Sequence, residues 1–382
     1  MVKKITLVGT LPPIKGVSDY CIEQTRSLSE HTQVEFYNFK NIYPEFLYKG
    51  GSTKENDPVF KRPSNKNIVV KDTLAWYNPF SWFAAGFFSK GEILHFHWWT
   101  FYLFPIFFTI AFIAKLRGKK IVCTIHNVIG HESGSADKFL SGVIFLVPHK
   151  FIVHTKNNKQ QLQDFFKVPE NKIEIIPHGI YDFYRDKELT KREAREKNDI
   201  PEKAKVLLCF GNIRPYKGIE DLIEAFKIVR EKNKDIYLVI VGKPWNEELQ
   251  NKIEQSLFGI PEKLLYFDYV ASSDIKNFFF AADVVVLPYR DFAAQSGPGN
   301  IALAFEKPLI VSNVGGLPDL VLNKGLIFDA GNTKKLAELI TLVFSKKRLL
   351  EEFSRDSAKL KQKYSWESIA QQTLKIYNEF LE

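Results

Sequence analysis

Short apolar runs alternate with longer amphipathic segments along most of the chain. Each run has the length of a buried strand, and the segments between runs carry apolar residues at helical spacing. The predicted strands of the first half are residues 5–8, 34–39, 68–70, 93–96, 120–125, 150–154 and 172–176. Those of the second half are residues 206–210, 236–241, 264–267, 284–287, 309–311 and 325–328. Buried strands separated by helices predict parallel sheets with crossover connections.

The two series of strands predict two α/β domains of the Rossmann-like type, because 382 residues are too many for one ordinary core. We expect the domains to cover residues 1–180 and 181–364, and a last helix in residues 365–382 to pack back on the first domain. The charged residues 185–205 suit a linker or a surface segment, and the polar residues 41–66 suit a long loop. Chemistry is expected in the loops that follow strands, since ligands of such sheets bind at the carboxyl ends of strands.

The basic excess of the chain lies in its first half. Residues 1–180 contain 22 Lys and Arg against 14 Asp and Glu, whereas residues 181–382 contain 31 against 30. An anionic membrane surface, a phosphorylated acceptor and nucleic acid are the partners that such a charge attracts. No nucleic-acid-binding motif accompanies the charge, so we do not expect nucleic acid as a partner. A basic surface that faces only solvent is the plain alternative.

Cysteine usage and the N-terminus indicate a reducing compartment. Cys21, Cys123 and Cys209 fit no metal-binding or redox spacing, so we expect three reduced thiols. We also expect no metal and no cofactor, since the activity discussed below needs neither. Met1 leads into the first predicted strand without the apolar segment of a signal peptide. The sequence therefore predicts a cytoplasmic protein.

A nearly uninterrupted apolar and aromatic stretch fills residues 97–114, and a basic cluster follows between Lys115 and Lys120. Pro105 interrupts the stretch and a predicted strand follows at once, so we do not expect a membrane span. One interpretation is a crossover helix buried in the first domain. The other is an exposed apolar face beside basic residues, which would dock on the inner face of a membrane as a peripheral protein.

Two loops at predicted strand ends carry groups that bind phosphate. The apolar run 206–210 ends at Gly211, and Arg214 and Lys217 then precede an amphipathic helix. Free N–H groups and the helix dipole favour an anion at such a helix start, and the two cations add to the attraction. The second loop, Gln295-Ser-Gly-Pro-Gly-Asn300, also follows a strand and starts a helix. Its glycines allow the main chain to approach a ligand closely.

These segments, in this order, resemble the retaining glycosyltransferases of family 4. In the second half the resemblance rests on Gly211-Asn-Ile-Arg-Pro-Tyr-Lys-Gly218, Asp283-Val-Val-Val-Leu-Pro-Tyr289, Ser296-Gly297, Phe305-Glu-Lys-Pro-Leu-Ile-Val311 and Val314-Gly-Gly-Leu-Pro-Asp319. In the first half it rests on Pro12-Pro-Ile-Lys-Gly-Val-Ser18, Thr124-Ile-His-Asn127 and Ile175-Ile-Pro-His-Gly179, with Trp366 in the last helix. The resemblance covers nearly the whole chain and implies the GT-B fold, in which two Rossmann-like domains face each other.

The resemblance implies an activity and a set of residues. A hexose would move, with retention, from a nucleotide-diphosphate sugar to a hydroxyl of a lipid-linked or glycan acceptor, and positive charge and N–H donors would stabilise the leaving diphosphate without a metal. The implied catalytic residues are His126, Arg214 and Lys217, with His126 hydrogen-bonded to the sugar or its phosphate. The implied donor-binding residues are Gly16, Asn212, Arg214, Lys217, Val270, Gln295, Ser296, Gly297, Gly299 and Asn300. The implied acceptor-binding residues are Gly16, Val17, Ser18, His97 and Asn127.

Two positions depart from the family's pattern. Members often carry two glutamates eight residues apart around the second loop, and the second of them usually holds the nucleotide ribose. Counted back from Lys307, these positions hold Ala293 and Ile301. Members also often have an arginine directly after the glycine of the first loop, where this chain has Asn212. We interpret Arg214 as the replacement cation.

Other titratable residues have structural interpretations. His95 and His97 point to the same face of a predicted strand, which favours packing, although His97 also suits an acceptor site. His178 suits a satisfied position at the domain junction. Asp19 is the one carboxylate expected near the glycine loop, and its place at a helix start explains it through the helix dipole.

Two further functions fit the same architecture. A sugar-nucleotide epimerase would need acid–base carboxylates near the donor, and the motifs supply none. A non-catalytic glycan- or membrane-binding subunit with a decayed donor site would explain the missing glutamates, but not the retained Arg214, Lys217 and Ser296. Detectable nucleotide binding distinguishes a transferase from such a subunit.

Overall fold

Strands and helices alternate through the chain, as its apolar pattern predicts. The computed structural model describes residues 1–43, 53–54, 57, 59–128, 135–185, 189–292 and 295–381. The strands are β1 (Lys4–Gly9), β2 (Gln33–Asn41), β3 (Ile68–Ala75), β4 (Ile93–Trp98), β5 (Lys120–Ile125), β6 (Lys150–Val153), β7 (Ile173–Ile175), β8 (Lys205–Phe210), β9 (Ile236–Val241), β10 (Lys263–Tyr266), β11 (Val284–Leu287), β12 (Leu309–Ser312) and β13 (Ile327–Phe328).

The helices fill the intervals between these strands. They are α1 (Ser18–Ser29), α2 (Pro79–Phe88), α3 (Phe104–Leu116), α4 (Ser135–Ile144), α5 (Lys156–Phe166), α6 (Lys191–Glu196), α7 (Ile219–Lys232), α8 (Glu247–Ser256), α9 (Ser272–Ala281), α10 (Gly297–Ala304), α11 (Thr333–Ser345), α12 (Lys347–Lys363) and α13 (Trp366–Asn378). Contacts divide the chain into unit 1, which is Met1–Gly179 with Ser365–Glu382, and unit 2, which is Ile180–Tyr364.

Each unit contains one parallel sheet. The strand order is β3-β2-β1-β4-β5-β6-β7 in unit 1 and β10-β9-β8-β11-β12-β13 in unit 2. Both orders reverse once, between β1 and β4 and between β8 and β11, and ligands of Rossmann-like sheets bind outside the strand ends at this reversal. The predicted pair of Rossmann-like α/β domains is therefore confirmed. The geometry also selects the loops after β8 and β11 as the candidate site of unit 2.

The last helix packs in unit 1, against α1. Trp366, in the first turn of α13, contacts the ring of Tyr20 with centroids 4.9 Å apart. A Cβ on Gly179 would overlap the Trp366 ring, so the chain can pass this close only as glycine. At the other end of α13, the side-chain oxygen of Asn378 accepts a hydrogen bond from the N–H of Val2. Both chain termini are thus fixed to the same unit.

Two segments differ from their predicted form. Part of the segment 185–205, predicted as a linker or a surface segment, is helical, because α6 forms within it and Lys191 and Arg195 pair with Asp283, while residues 186–188 lie outside the described residues. A capping box between Thr190 and Glu193 explains where α6 starts. The predicted strand 325–328 is shorter at its start, since Lys324–Leu326 form a 3₁₀ turn. Within the predicted loop 41–66, residues 44–52, 55–56 and 58 lie outside the described residues.

The aromatic stretch 97–114 contributes to two elements. Its first residues end β4, and most of the rest forms α3, whose inner side is buried in unit 1 while Phe112 and Leu116 are exposed. The buried side agrees with the interpretation as a crossover helix, and docking on a membrane stays a prediction. None of the helices in the described part of the chain has the length and apolar composition needed to cross a membrane.

Candidate functional site

The loop after β8 turns sharply at two glycines. Gly211 has a φ of +98° and Gly218 a φ of +63°, both in the region that favours glycine. Between them, Pro215–Lys217 form a 3₁₀ turn, and Gly218 then starts α7. A Cβ on Gly218 would overlap the carbonyl oxygen of Pro288, so this glycine lets the loops after β8 and β11 touch. The turn directs Lys217 inward.

Lys217 is a buried cation. Only 6% of the residue is exposed, and its Nζ lies 5.3 Å from the centre of the Tyr289 ring. Burial, helped by the nearby Arg214, lowers the pKa of the amine from 10.5 to about 8. Among the described residues no carboxylate pairs with it. A buried ammonium without a counter-ion is costly, so this position favours an anionic ligand.

Arg214 is the second cation of the loop. Its guanidinium lies 4.5 Å from the centre of the Trp245 ring, a cation–π contact that fixes its direction. Its Nη1 also donates to the carbonyl of Ile213 at 3.5 Å. Within the described ranges it has no carboxylate partner either. The side chain is partly exposed, which leaves donors of the guanidinium available to a ligand.

The loop after β11 leads into α10 through a short hydrogen-bonded chain. The Tyr289 and Ser296 hydroxyls lie 3.2 Å apart, and the Ser296 Oγ accepts the N–H of Gly299 at 3.3 Å. The Ser296 side chain is therefore engaged in capping α10, and a ligand contact at this residue would use its main chain. Since Pro298 has no N–H, Gly297 keeps the free donor of the first turn.

The two loops meet at this capped end. A Cβ on Gly211 would lie 3.0 Å from Pro298 Cγ and 3.1 Å from Lys217 Nζ. Glycine at 211 thus keeps open the space between the cation of one loop and the helix start of the other. Asn300 is buried in α10, and its side-chain oxygen has no hydrogen-bond partner among the described residues.

An ion pair that the sequence analysis missed holds the loops together. Arg290 donates through Nε and Nη2 to the two carboxylate oxygens of Asp221, at 2.8 and 2.7 Å, and its N–H donates to the Tyr216 carbonyl at 2.7 Å. This two-point geometry is strong and directional. Asp221 lies in the first turn of α7, where the helix dipole already explains an acidic residue, so the sequence pattern gave no separate signal for the pair.

The remaining predicted donor residues of unit 2 have different surroundings. Asn212 is exposed and Gln295 is half-buried, in the loops just described. Val270 lies between β10 and α9 with its side chain in the core of the unit, so a donor contact there would come from its main chain. Ile301 is also buried in the core, and Ala293 lies outside the described residues.

The glycine loop of unit 1 follows β1. Gly16 has a φ of +127°, and a Cβ on it would lie 3.2 Å from the ring of Trp99. The Thr10 Oγ1 accepts the N–H of Val17 at 3.1 Å and closes the loop. Val17 and Ser18 are buried, so their side chains are not available to an acceptor, contrary to a prediction of direct side-chain contact. Gly16 leaves the main chain of the loop as the contacting group.

A cluster of histidines surrounds Tyr20 of α1. The Tyr20 ring contacts His97, His126, His154 and His178, with centroids between 4.8 and 5.4 Å apart. Burial is the main cause that lowers the pKa of all four histidines, so each is neutral at pH 7. His154 and Tyr20 were not predicted as part of this cluster, because their contacts with His126 and His97 come from elements distant in the chain.

His126 and His97 form a pair within this cluster. His126 follows β5 and is partly exposed, and its Nε2 lies 3.1 Å from Nδ1 of His97. His97 itself has no exposed surface. The predicted direct contact of His97 with an acceptor is therefore not available in this structure, since the ring is covered on all sides. The hydrogen bond fixes the orientation of the His126 ring instead.

Three other residues have simpler surroundings. His95 Nδ1 lies 2.6 Å from the Tyr377 hydroxyl and its Nε2 lies 2.7 Å from Thr124 Oγ1, in agreement with the structural role expected for it. The Asp19 carboxylate accepts the N–H of Tyr20 at 2.9 Å, as expected at a helix start. Asn127 is exposed, beside His126, and donates weakly to the Trp99 carbonyl at 3.4 Å. No group of residues in the described ranges has the arrangement of a metal site.

Two family models match the chain, one in each half. The model described as Glycosyltransferase Family 4 matches residues 14–182, and the model described as Glycosyl transferases group 1 matches residues 190–360. The matched segments contain the loop of Gly16, His126 and both loops of unit 2. The chain belongs to glycosyltransferase family 4.

Similar proteins agree with this family. An uncharacterized glycosyltransferase of Methanocaldococcus jannaschii is 26% identical over 306 residues, which are 76% of this chain and 75% of that protein. A glycosyltransferase of Rickettsia africae has the same fold, with a TM-score of 0.72, 18% identity and coverage of 100% of this chain and 99% of that one. Anabaena HepE, solved in complex with UDP, has a TM-score of 0.71, 13% identity and coverage of 99% and 100%. The predicted GT-B fold is thus confirmed.

Within this family 4 glycosyltransferase, the structure brings together most of the predicted unit 2 residues. Lys217, Gly211 and Pro298 are in contact, and Ser296 caps the helix that carries Gly297, Gly299 and Asn300. Gly299 is also required for packing, since a Cβ on it would overlap Leu320 Cδ1. The loops after β8 and β11 thus place the cation of Lys217 beside the start of α10.

Proposed function

We propose that this glycosyltransferase transfers a hexose, with retention, from a nucleotide-diphosphate sugar to a hydroxyl of a lipid-linked or glycan acceptor. The observation that carries the proposal is Lys217, a buried ammonium that faces Tyr289 and has no carboxylate partner among the described residues. A diphosphate supplies the missing negative charge. The structurally similar HepE was solved in complex with UDP, which supports a nucleoside diphosphate as the ligand.

The chemistry of the transfer follows from charge stabilisation. The bond between the sugar and the diphosphate breaks as negative charge builds on the departing phosphate. Lys217 and Arg214 attract that charge, and the N–H of Gly297 donates to it. The acceptor hydroxyl attacks from the side of the leaving group, and the departing phosphate takes its proton. No nucleophile of the enzyme is needed, and among the described residues no carboxylate pairs with Lys217.

Unit 1 supplies the residues proposed to act on the sugar and the acceptor. Neutral His126 donates a hydrogen bond to the sugar or its phosphate, and His97 holds the ring of His126 in place through its Nδ1. The main chain of the Gly16 loop and the exposed Asn127 contact the acceptor. His97 is thereby a positioning residue, which replaces its predicted direct contact.

We further propose a cytoplasmic enzyme that works at the inner face of a membrane. The excess of Lys and Arg in residues 1–180 supports attraction to anionic lipids or to a phosphorylated lipid-linked acceptor. A second candidate function, a non-catalytic subunit with a decayed donor site, is favoured by one observation. Ile301, which stands where a ribose-binding glutamate is usual, is buried in the core.

Thermal unfolding with nucleotides tests the two candidates. We expect one nucleoside diphosphate and its sugar conjugates to raise the Tm selectively, without added metal, because a ligand of the folded state alone stabilises it. Purified protein is heated with UDP, GDP, ADP and their hexose conjugates, and the Lys217→Ala variant serves as the binding-site control. A shift in wild type that Lys217→Ala loses supports the transferase. The absence of any shift in wild type would favour the decayed subunit.

A further inference from the structure

Unit 1 has an exposed aromatic face, formed by the outer sides of α2 and α3. Phe80, Phe83 and Phe87 occupy positions i, i+3 and i+7 of α2 and therefore form one stripe along the helix. Phe80 is 85% exposed and Phe83 is 52% exposed. Phe83 and Phe87 stack with ring centroids 5.7 Å apart, and Phe88 packs against Phe87 at 5.1 Å. The rings form an ordered surface instead of isolated apolar side chains.

The opposite side of α2 explains why this face remains outside. Ala85 and Gly86 are buried, and a Cβ on Gly86 would lie 2.8 Å from the main-chain oxygen of Ile110 in α3. The small residues of α2 thus face α3, and Trp82 packs against the core with its Nε1 donating to the carbonyl of Ala75, while the phenylalanine rings of α2 point away. Trp76 and Tyr77, just before α2, are exposed as well. Exposed aromatic patches of this kind mark interaction sites on soluble proteins.

Cations predominate in the segment of chain that forms the face, although the Glu35 carboxylate of β2 accepts the N–H of Lys90. Residues 76–120 contain a single carboxylate, Glu92, which accepts the main-chain N–H groups of Lys3 and Lys4. The same segment contains five cations, which are Lys90, Lys115, Arg117, Lys119 and Lys120. The guanidinium of Arg117 lies 5.0 Å from the centre of the Phe87 ring, so the basic cluster borders the stripe directly. Leu116 of α3 is exposed at the same border.

We infer that the outer face of α2 and α3 docks on the surface of an anionic lipid bilayer. Apolar rings enter the region between headgroups and acyl chains, while Trp and Tyr side chains favour its polar boundary. The neighbouring cations attract acidic headgroups, which would repel a face bordered by carboxylates. Stable membrane attachment needs two such signals, and this face supplies both. This docking surface rests on the proposed function, which places the acceptor at a membrane. It adds the face of the protein that contacts the bilayer and the class of lipid that the face binds.

The occupant is a bilayer and not a second copy of this chain, because of the charge. Two copies joined through this face would bring two basic clusters together, and like charges in an interface destabilise it. A lipid surface that contains phosphatidylglycerol or a similar acidic lipid has the complementary charge. The α2 stripe, which the sequence analysis did not single out, is the principal contact, and α3 adds its exposed end.

Vesicle flotation with paired variants tests the inference. Wild type is floated with vesicles of phosphatidylcholine alone and with 30% phosphatidylglycerol added, a composition on the order of natural anionic membranes. We expect binding to the mixed vesicles only, and weaker binding at high salt. Phe80→Ser with Phe83→Ser should reduce partitioning into the mixed vesicles by about tenfold or more. Each substitution removes the favourable free energy of moving a ring from water into the bilayer, which corresponds to about a tenfold change in the partition constant. Phe258→Ser, at a position in unit 2 that is 89% exposed, is the matched control and should bind like wild type.

A charge pair and a depth probe complete the design. Lys90→Glu with Lys120→Glu should weaken binding to mixed vesicles, whereas Lys347→Glu with Arg348→Glu, exposed in unit 2, should not. A tryptophan introduced as Phe80→Trp should shift its emission to shorter wavelength on binding and be quenched by brominated lipids.

Three outcomes would overturn the inference. They are equal binding to neutral vesicles, retained binding in the phenylalanine variants, or dimerisation through this face with no vesicle binding. Dimerisation is measured by analytical ultracentrifugation of wild type and Phe83→Ser. The nucleotide-dependent Tm shift is recorded for every variant. A normal shift without vesicle binding refutes the docking surface alone, and vesicle binding without a shift refutes the transferase alone.

Discussion

Replacing Lys217 by methionine should change stability and activity in opposite directions. Methionine keeps most of the length of the side chain and removes its charge. Replacing a lysine that stabilises the fold lowers stability. Replacing a lysine whose buried charge serves only to bind a ligand raises the stability of the ligand-free protein. The substitution therefore distinguishes a ligand-binding role for this cation from a purely structural one.

The structure gives the expected size of the gain in stability and of the loss of activity. A pKa lowered from 10.5 to about 8 corresponds to about 3 kcal/mol by which the folded site disfavours the charged amine. Lys217→Met should recover up to about that amount, or about 2–4 °C in Tm per kcal/mol for a unit of this size. In contrast, an ammonium about 4 Å from a phosphate oxygen contributes about 4 kcal/mol at an effective dielectric constant of about 20. Transfer should then fall on the order of a thousandfold.

The pH dependence of the gain follows from the same values. Between pH 8 and 10.5 the unfolded chain keeps a proton on Lys217 that the folded chain has lost, so wild-type stability rises with pH there. Below pH 8 both states carry the charge and the cost of burying it is present in full. The difference in Tm between Lys217→Met and wild type should therefore be largest at pH 7, shrink as pH rises above 8, and disappear only above pH 10.5.

The assay combines thermal unfolding at pH 7, 8.5 and 10 with the rate of transfer from the nucleotide sugar that binds. Lys232→Met is the matched control, because this exposed lysine ends the same helix, about 20 Å from its start. It should change neither quantity. A Lys217→Met protein that is less stable than wild type at pH 7, or that transfers at the wild-type rate, would refute the reasoning.

Three further predictions concern the same loops. Affinity for the nucleoside diphosphate should fall as pH rises through about 8, because Lys217 loses its proton. Isothermal titration calorimetry at pH 7 and 9.5 should show this fall in wild type and its loss in Lys217→Met. Gly218→Ala should destabilise the protein by about 1–3 kcal/mol in urea unfolding, because φ is +63° there and the new Cβ would overlap Pro288. Gly259→Ala, which also has a positive φ but open space around it, should destabilise the protein less. Arg290→Met and Asp221→Asn should show a coupling of about 1–2 kcal/mol in a double-mutant cycle, and additive effects would mean that their hydrogen bonds contribute nothing.

The sequence by itself determined the features that depend on neighbouring residues. Apolar runs and helical spacing located the strands, because a strand buried on both faces must be apolar throughout. The loop of Arg214 and Lys217 could be recognised for the same reason, since a strand end, a glycine and a helix start are adjacent in the chain. His126 was predicted from the resemblance to the family, and its place after β5 lies at the edge where ligands of such sheets bind.

Only the tertiary structure decided which of these groups have partners. Arg290 and Lys217 are both cations in loops after strands, yet Arg290 is paired with Asp221, whereas Lys217 is buried and has no carboxylate partner in the part of the chain that the structure describes. His97 loses its exposed surface because α1 and β5 cover it, and the rings of α2 stay outside because Gly86 faces α3. Pairing and burial depend on residues that are distant in the chain and meet only through sheet order and helix packing. A local pattern therefore locates a functional group, but its charge state and exposure follow from the fold.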